Sequence, residues 1–286
     1  MKRVFHPGDD WLYMKLYSGP ETGEEWLANV FPDIVREVET RQLASSFFFL
    51  RYADPLFHLR IRFKLKNNEY LAGVLQIVRN FSSEFYKDEM IWKTEIGTYE
   101  REMERYGEDW IETAEQVFAI DSKYWLSILS DLRKDEDGEN KRWQVALLNT
   151  HKIFSYFDYQ MDARITLLTK MVDTLYNEMG GGKKLRLQID QKFRKNNSFL
   201  EKIIKHPDEL KISSLTGSEE VRSDSIKRLP EFINQVKSWD VEMSESRVSD
   251  IIHLSLNRGL RSKHRIHELV IYSFLKRLYI SLKARG

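Results

Sequence analysis

Three stretches of this sequence carry side chains whose types and spacing could do chemistry. The first, FHLRIRFKL at 57–65, places His58, Arg60, Arg62 and Lys64 at every second position. A β-strand sends successive side chains to opposite faces, so the four basic groups share one face, and Phe57, Leu59, Ile61, Phe63 and Leu65 share the other. Such alternation is also the ordinary pattern of a sheet with one wet face. Four cations without an interleaved acid repel one another along the strand, however, and a row of guanidinium forks suits a carboxylate. Arg51 lies upstream, near the turn end of the same hairpin.

The second stretch is TYEREMERYGEDW at 98–110, in which Glu102 and Arg105 are three apart. On a helical turn they share a face and can pair. Such a pair at the surface is worth little for stability, but this one follows a β-like segment and ends at Tyr-Gly, where strands deliver site residues. The third is SDIIHLSLNRGL at 249–260, with His253 among Ile251, Ile252, Leu254 and Leu256. A lone histidine in an apolar helix is ordinarily a core residue. Beside a carboxylate or a bound anion it would instead carry protons near neutral pH.

Other catalytic patterns are absent. GGGKK at 180–184 has neither the spacing of a phosphate loop nor the Ser or Thr after Lys, and reads as a helix terminator and turn. His264 and His267 have no accompanying carboxylate-and-histidine set, so no metal site and no cofactor are expected. Lys plus Arg number 45 against 44 Asp plus Glu, so any attraction for anions must be local, and a nucleic-acid binder's surplus of basic charge is missing. The chain has no cysteine, which excludes a thiol nucleophile and thiolate metal sites. The N-terminus lacks the apolar run of a secretory signal, and no uncharged run reaches membrane-spanning length. A cytoplasmic setting is expected.

These residues must be positioned by the elements around them. Alternation and aromatic content predict a strand at 11–19, another at 45–52 and the basic strand after an Ala-Asp-Pro turn, with a further β-like segment at 89–99. Helical spacing predicts helices over 22–43 and 68–84, and helical periodicity dominates after about residue 108. Helices resume near 184, a polar connection covers about 206–218, and the chain closes with 222–239, 246–262 and 265–283. The expected class is α+β: an N-terminal mixed or antiparallel sheet with helices, followed by a predominantly helical C-terminal part. No long linker divides residues 1–286, so one domain is expected.

Taken together, WLYMKLY, FFFLRYADPLFHLRIRF, TYEREMERYG and IIHLSLNR occur in the order and spacing of a known family. From about residue 10 to its end the chain resembles the C-terminal elimination domain of lantibiotic dehydratases, also called the thiopeptide-type bacteriocin biosynthesis domain. The resemblance implies a carbon–oxygen lyase. Such a domain removes glutamate from glutamylated Ser or Thr of a precursor peptide (leader plus core) by β-elimination, leaving dehydroalanine or dehydrobutyrine. Because the sequence begins directly at this domain, the expectation is a stand-alone eliminase working with a separate glutamylating dehydratase that uses glutamyl-tRNA. No direct nucleic-acid or membrane contact is expected, and a homodimer is left open.

By the same resemblance, Arg60 and Arg62 match the family's paired strand arginines and would grip the glutamyl group; His58 of the same basic row and Arg51 near the hairpin turn are further substrate-binding candidates from their positions alone. Glu102 and Arg105 match its Glu and Arg before Tyr-Gly, and His253 matches its late histidine, giving the catalytic set. Two departures bear on substrate detail: RYGE stands where a second glycine is common, and HLSLNRGL lacks the usual Met. The alternative within the family is a pyridine synthase, which joins two dehydroalanines in a formal aza-[4+2] cycloaddition and expels the leader. A degenerate peptide-binding scaffold is the non-enzymatic alternative.

Overall fold

The computed structural model describes residues 1–205 and 244–285; the expected connection near 206–218 and helix over 222–239 lie outside the described residues. The architecture is α+β. Strands β1 (Val4–Phe5) and β2 (Trp11–Ser18) open the chain. Where one helix was expected over 22–43 there are two, α1 (Pro20–Asn29) and α2 (Phe31–Thr40). Pro32 explains the break: it is harmless in the first turn of α2, but inside a continuous helix it would delete a hydrogen bond and clash with the preceding turn.

Strands β3 (Ala44–Ala53) and β4 (Phe57–Leu65) form the expected hairpin. A short 3₁₀ turn, α3 (Leu71–Phe81) and α4 (Ser83–Lys87) then occupy the region of the second expected helix. The interruption falls at Ser82, a buried residue whose Oγ accepts a 2.9 Å hydrogen bond from Trp26 Nε1. Strand β5 (Ile91–Gly97) completes a four-stranded sheet of order β3-β4-β2-β5 in which every pair is antiparallel. Strand β6 (Tyr99–Glu100) pairs with β1.

The helical part comprises α5 (Met103–Tyr106), α6 (Ile111–Lys134), α7 (Gly138–Tyr156), α8 (Met161–Glu178), α9 (Lys183–Lys195), α10 (Asn197–Lys205), α11 (Glu245–Gly259) and α12 (His264–Arg285). Among the described residues, no helix is long and apolar enough to cross a membrane. Helix α8 lies along α12, while α6 packs on β3, α1 and α11. Buried residues of the sheet and of these helices form one contiguous apolar cluster.

Register decides what each sheet face carries. Leu12, Met14 and Leu16 stand opposite Phe63, Ile61 and Leu59, and across β4 these meet Phe47, Phe49 and Arg51. This face packs on α1 and α2, where the Phe31 ring meets Phe47, Phe49 and Phe63 edge-on. On the other face Tyr13, Lys15 and Tyr17 stand opposite Arg62, Arg60 and His58, and these meet Phe48, Leu50 and Tyr52.

Among the described residues, the outer edge of β3 is sealed by side chains rather than by another strand. Phe49 N–H donates to Ser122 Oγ of α6 at 3.3 Å, and Arg258 Nε of α11 donates to the Phe49 carbonyl at 3.0 Å. Asn257 accepts from Arg51 N–H at 2.9 Å and donates to the Arg51 carbonyl at 2.8 Å, as a neighbouring strand would. Asp121 balances the buried Arg258 guanidinium at 2.9 Å. Gly259 permits the close approach: a Cβ there would lie 2.2 Å from the buried Trp125 indole. The end of the third motif therefore ties the C-terminal helices to the sheet.

Candidate functional site

The basic strand is not a wet face. His58 and Arg62 are buried, and Arg60 and Lys64 are half-buried. The Arg62 guanidinium lies 4.5, 5.0 and 4.8 Å from the ring centres of Tyr13, Phe48 and Tyr99. Its Nε and Nη1 are buried without a hydrogen-bond partner, and among the described residues no carboxylate pairs with it. Burial disfavours its charge and pulls its proton affinity below the ordinary arginine value. A cation so held is attracted by the faces of its rings and, more weakly, by the Glu102 carboxylate, and a substrate carboxylate would satisfy its fork.

Arg60 lies beside it, its guanidinium 3.4 Å from the centre of the Tyr52 ring. Its Nε donates to His58 Nε2 at 3.2 Å, while His58 Nδ1 is 2.9 Å from the Leu56 carbonyl. Those partners fix His58 with its proton on Nδ1, and burial holds its pKa below the usual histidine value. His58 is thus a neutral strut that aims Arg60. Arg51 departs from expectation. Register puts it on the opposite sheet face, fully buried, with Nη2 2.6 Å from Glu24 and Nε bonded to the Arg258 carbonyl. It has no access to the face that Arg60 and Arg62 share.

The second set of residues meets in the helical part. Arg105, near the end of α5, reaches Asp250 of α11 at 2.5 Å and Glu102 at 3.3 Å. The hydrogen bond to Asp250 raises its proton affinity further above the ordinary arginine value. Gly107 ends α5 with φ 74°, in the left-handed region, and a Cβ there would meet Asp109 Oδ1 at 2.5 Å. This turn sends the chain into α6 while leaving Asp109 to bond Arg247 of α11 at 2.6 Å. His253 lies one turn beyond Asp250, its Nδ1 2.8 Å from Oε1 of Glu268 on α12.

Arg105, Asp250, His253 and Glu268 all line one groove of about 470 Å³ between α5, α8, α11 and α12. Leu167, Met171 and Leu175 of α8 and Tyr272 of α12 line its apolar part, and the Lys170–Glu245 pair spans it at 2.5 Å. The structure thus brings Arg105 and His253 together, with Glu102 against Arg105, and places Arg60 and Arg62 on one face of the sheet, outside the groove lining. The Glu102 carboxylate bears electrostatically on Arg62, which links the two sets.

Asp250 and Glu268 were not singled out in the sequence. Asp250 had a signal, being three residues before His253 and so on its face. Glu268 had none, because it approaches from another helix. The aromatic box of Arg62 likewise draws Tyr13, Phe48 and Tyr99 from three strands.

The α+β fold is shared with known proteins. Residues 11–279 match the family model described as Lantibiotic biosynthesis dehydratase C-term, and the chain belongs to that family, an enzyme family in the dehydration of ribosomally synthesised peptides. It is 29% identical over 283 residues to nisin biosynthesis protein NisB of Lactococcus lactis subsp. lactis, covering 96% of this chain and 26% of NisB. The chain therefore spans about a quarter of that relative's length. In fold it is similar to the tRNA-dependent lantibiotic dehydratase MibB from Microbispora sp. 107891, with a TM-score of 0.70 at 19% identity, covering 98% of this chain and 29% of MibB. It is similar also to TbtD, the pyridine synthase from thiomuracin biosynthesis, with a TM-score of 0.66 at 14% identity, covering 97% of this chain and all of TbtD.

Proposed function

We propose that this protein removes glutamate by β-elimination from glutamylated Ser and Thr of a precursor peptide, leaving dehydroalanine or dehydrobutyrine. Glutamylation from glutamyl-tRNA belongs to a separate protein in this reading, and the setting is cytoplasmic. The observation that carries the proposal is His253 backed by a buried carboxylate in the groove that Arg105 also lines.

In this reading His253 takes the Cα proton of the esterified residue, whose electrons pass through an enolate on the adjacent amide. The Cα–Cβ double bond then forms as the Cβ–O bond breaks and glutamate leaves as a carboxylate. Arginine does not surrender its proton in a protein, so Arg105 serves as a fixed positive charge for the developing oxyanion. Asp250 and Glu102 orient it. Arg60 and Arg62 hold the free carboxylate of the glutamyl group through their forks, aimed by His58 and the aromatic box.

Mass spectrometry of a cognate peptide, glutamylated by its partner and then given this protein, tests the reading. The expected result is loss of each glutamyl group with formation of a dehydroamino acid. Arg105→Ala and His253→Ala are expected to leave glutamylated peptide and slow elimination by about 100-fold or more. The pyridine-synthase reading is favoured by the full-length likeness in fold to TbtD. Inert glutamylated peptide, with cyclisation of a peptide already bearing dehydroalanines, would overturn elimination in its favour.

A further inference from the structure

We infer that Glu268 is the positioning residue of His253, and that Arg265 limits the pull of Glu268 on it; this deepens the elimination reading and rests on it. The Glu268 side chain is 1% exposed and uses both oxygens, Oε1 at 2.8 Å from His253 Nδ1 and Oε2 at 2.9 Å from Arg265 Nη1. Arg265 in turn pairs with Glu178 of α8. The chain Glu178–Arg265–Glu268–His253 thus joins α8, α12 and α11 beside the groove.

A comparison within the molecule singles Glu268 out. Four carboxylates are buried among the described residues: Glu24, Glu115, Asp121 and Glu268. Glu24 is shared by Arg51 and Arg142, Glu115 is held by Arg101, and Asp121 by Arg258, all of them buried arginines. Glu268 instead meets a histidine that opens on the groove and an arginine that is 45% exposed. Taking a carboxylate out of water is unfavourable, and a half-exposed guanidinium compensates it less than a buried one does. An acid that served only to anchor α12 would have no need of His253.

The geometry has two consequences for catalysis. With the Nδ1 proton donated to Glu268, the lone pair of His253 lies on Nε2, the nitrogen left free to accept a substrate proton. Once protonated, the ring is stabilised by the carboxylate 2.8 Å away. Arg265 acts in the opposite sense, because its charge competes for the same carboxylate. Among the described residues, the titratable and charged groups around His253 are Glu268, Arg265, His264 and Tyr272 of α12, Lys170 and Glu178 of α8, Arg105 of α5, and Glu245 of its own helix, which pairs with Lys170. Asp250 on its own helix is engaged by Arg105.

The test measures kcat and KM for glutamylated peptide across pH in wild type, Glu268→Gln and Arg265→Ala, together with ¹⁵N NMR of the His253 ring. Glu268→Gln is expected to lower kcat by about 100-fold while KM changes by less than about threefold. The acidic limb of its kcat/KM profile should move to lower pH, because the imidazolium has lost its counter-charge. Arg265→Ala should move that limb to higher pH, because the carboxylate is then left to His253 alone. In wild type the neutral ring should carry its proton on Nδ1, and Glu268→Gln should give a mixture of tautomers.

Limbs that stay in place in both variants, with an unchanged tautomer, would overturn the inference and leave Glu268 as an anchor of α12. If Glu268→Gln fails to fold, Arg265→Ala and the wild-type tautomer decide, since neither needs that variant. If wild type leaves glutamylated peptide intact, the elimination reading falls, while the NMR result still judges whether Glu268 orients His253.

Discussion

Arg62 shows at the scale of one residue a side chain held against the interest of folding, as the proposed glutamyl-binding role would require. A buried guanidinium with no carboxylate in hydrogen-bonding reach and two nitrogens left without partners opposes the native state by about 1–3 kcal/mol or more. Attraction to the faces of Tyr13, Phe48 and Tyr99 returns about 0.5–2 kcal/mol. The desolvation term wins on these magnitudes, so Arg62→Met, which keeps the length and removes the charge, should be neutral or stabilising by up to about 2 kcal/mol. The same variant should lose most glutamate elimination. Urea denaturation beside the peptide assay checks both halves. A loss of more than about 1 kcal/mol would mean that the ring–cation attraction dominates instead.

At the scale of elements, the joint between β3 and α11 fixes the helix that carries His253 against the sheet. Asn257 satisfies both backbone groups of Arg51, and Arg258 satisfies the Phe49 carbonyl, so α11 is registered against the sheet residue by residue. Asn257→Ala leaves a buried N–H and a buried C=O without partners. It should destabilise by about 2–4 kcal/mol by urea denaturation, with elimination reduced at temperatures where the variant is still folded. A loss under about 0.5 kcal/mol would show that water or a backbone shift replaces the amide. The strands, the α+β class and both groove motifs were legible in the sequence because period-2 alternation and helical spacing are local signals. The joint was not, because the partners of Asn257 lie about two hundred positions away in sequence. Strand parity hid the place of Arg51. Its position near the hairpin turn suggested membership of the basic row, but that row is set by the parity of the β3–β4 register, which pairs Arg51 with Leu59. Glu268 escaped notice for want of any local pattern. Asp250 has a local signal, three residues before His253 on the same helical face.

At the scale of the whole molecule, near-zero net charge conceals charges held in very different surroundings, and acid should expose one of them. His151 of α7 is 7% exposed, with Nδ1 2.8 Å from the hydroxyl of Tyr279 on α12, in the core that joins those helices. Burial, with Arg164 and Lys152 nearby, pushes its pKa down to about 4 from 6.5. The sign follows from proton counting. Between pH 6.5 and 4 the unfolded chain binds a proton at this ring that the folded chain refuses, so stability rises with pH across that window and is flat above it. The difference corresponds to about 3 kcal/mol lost on acidification. His151→Gln keeps a polar partner for Tyr279 without a titrating group, and should therefore lack this component while losing some packing at pH 7. Urea midpoints for wild type and variant, taken at half-unit steps from pH 7 to pH 4, separate this group from the acids that titrate in both. Two curves that converge as pH falls would identify His151 as an acid-sensitive point of the helical core. Curves that stay parallel would mean that the ring escapes protonation by another route, such as local opening of α7 from α12.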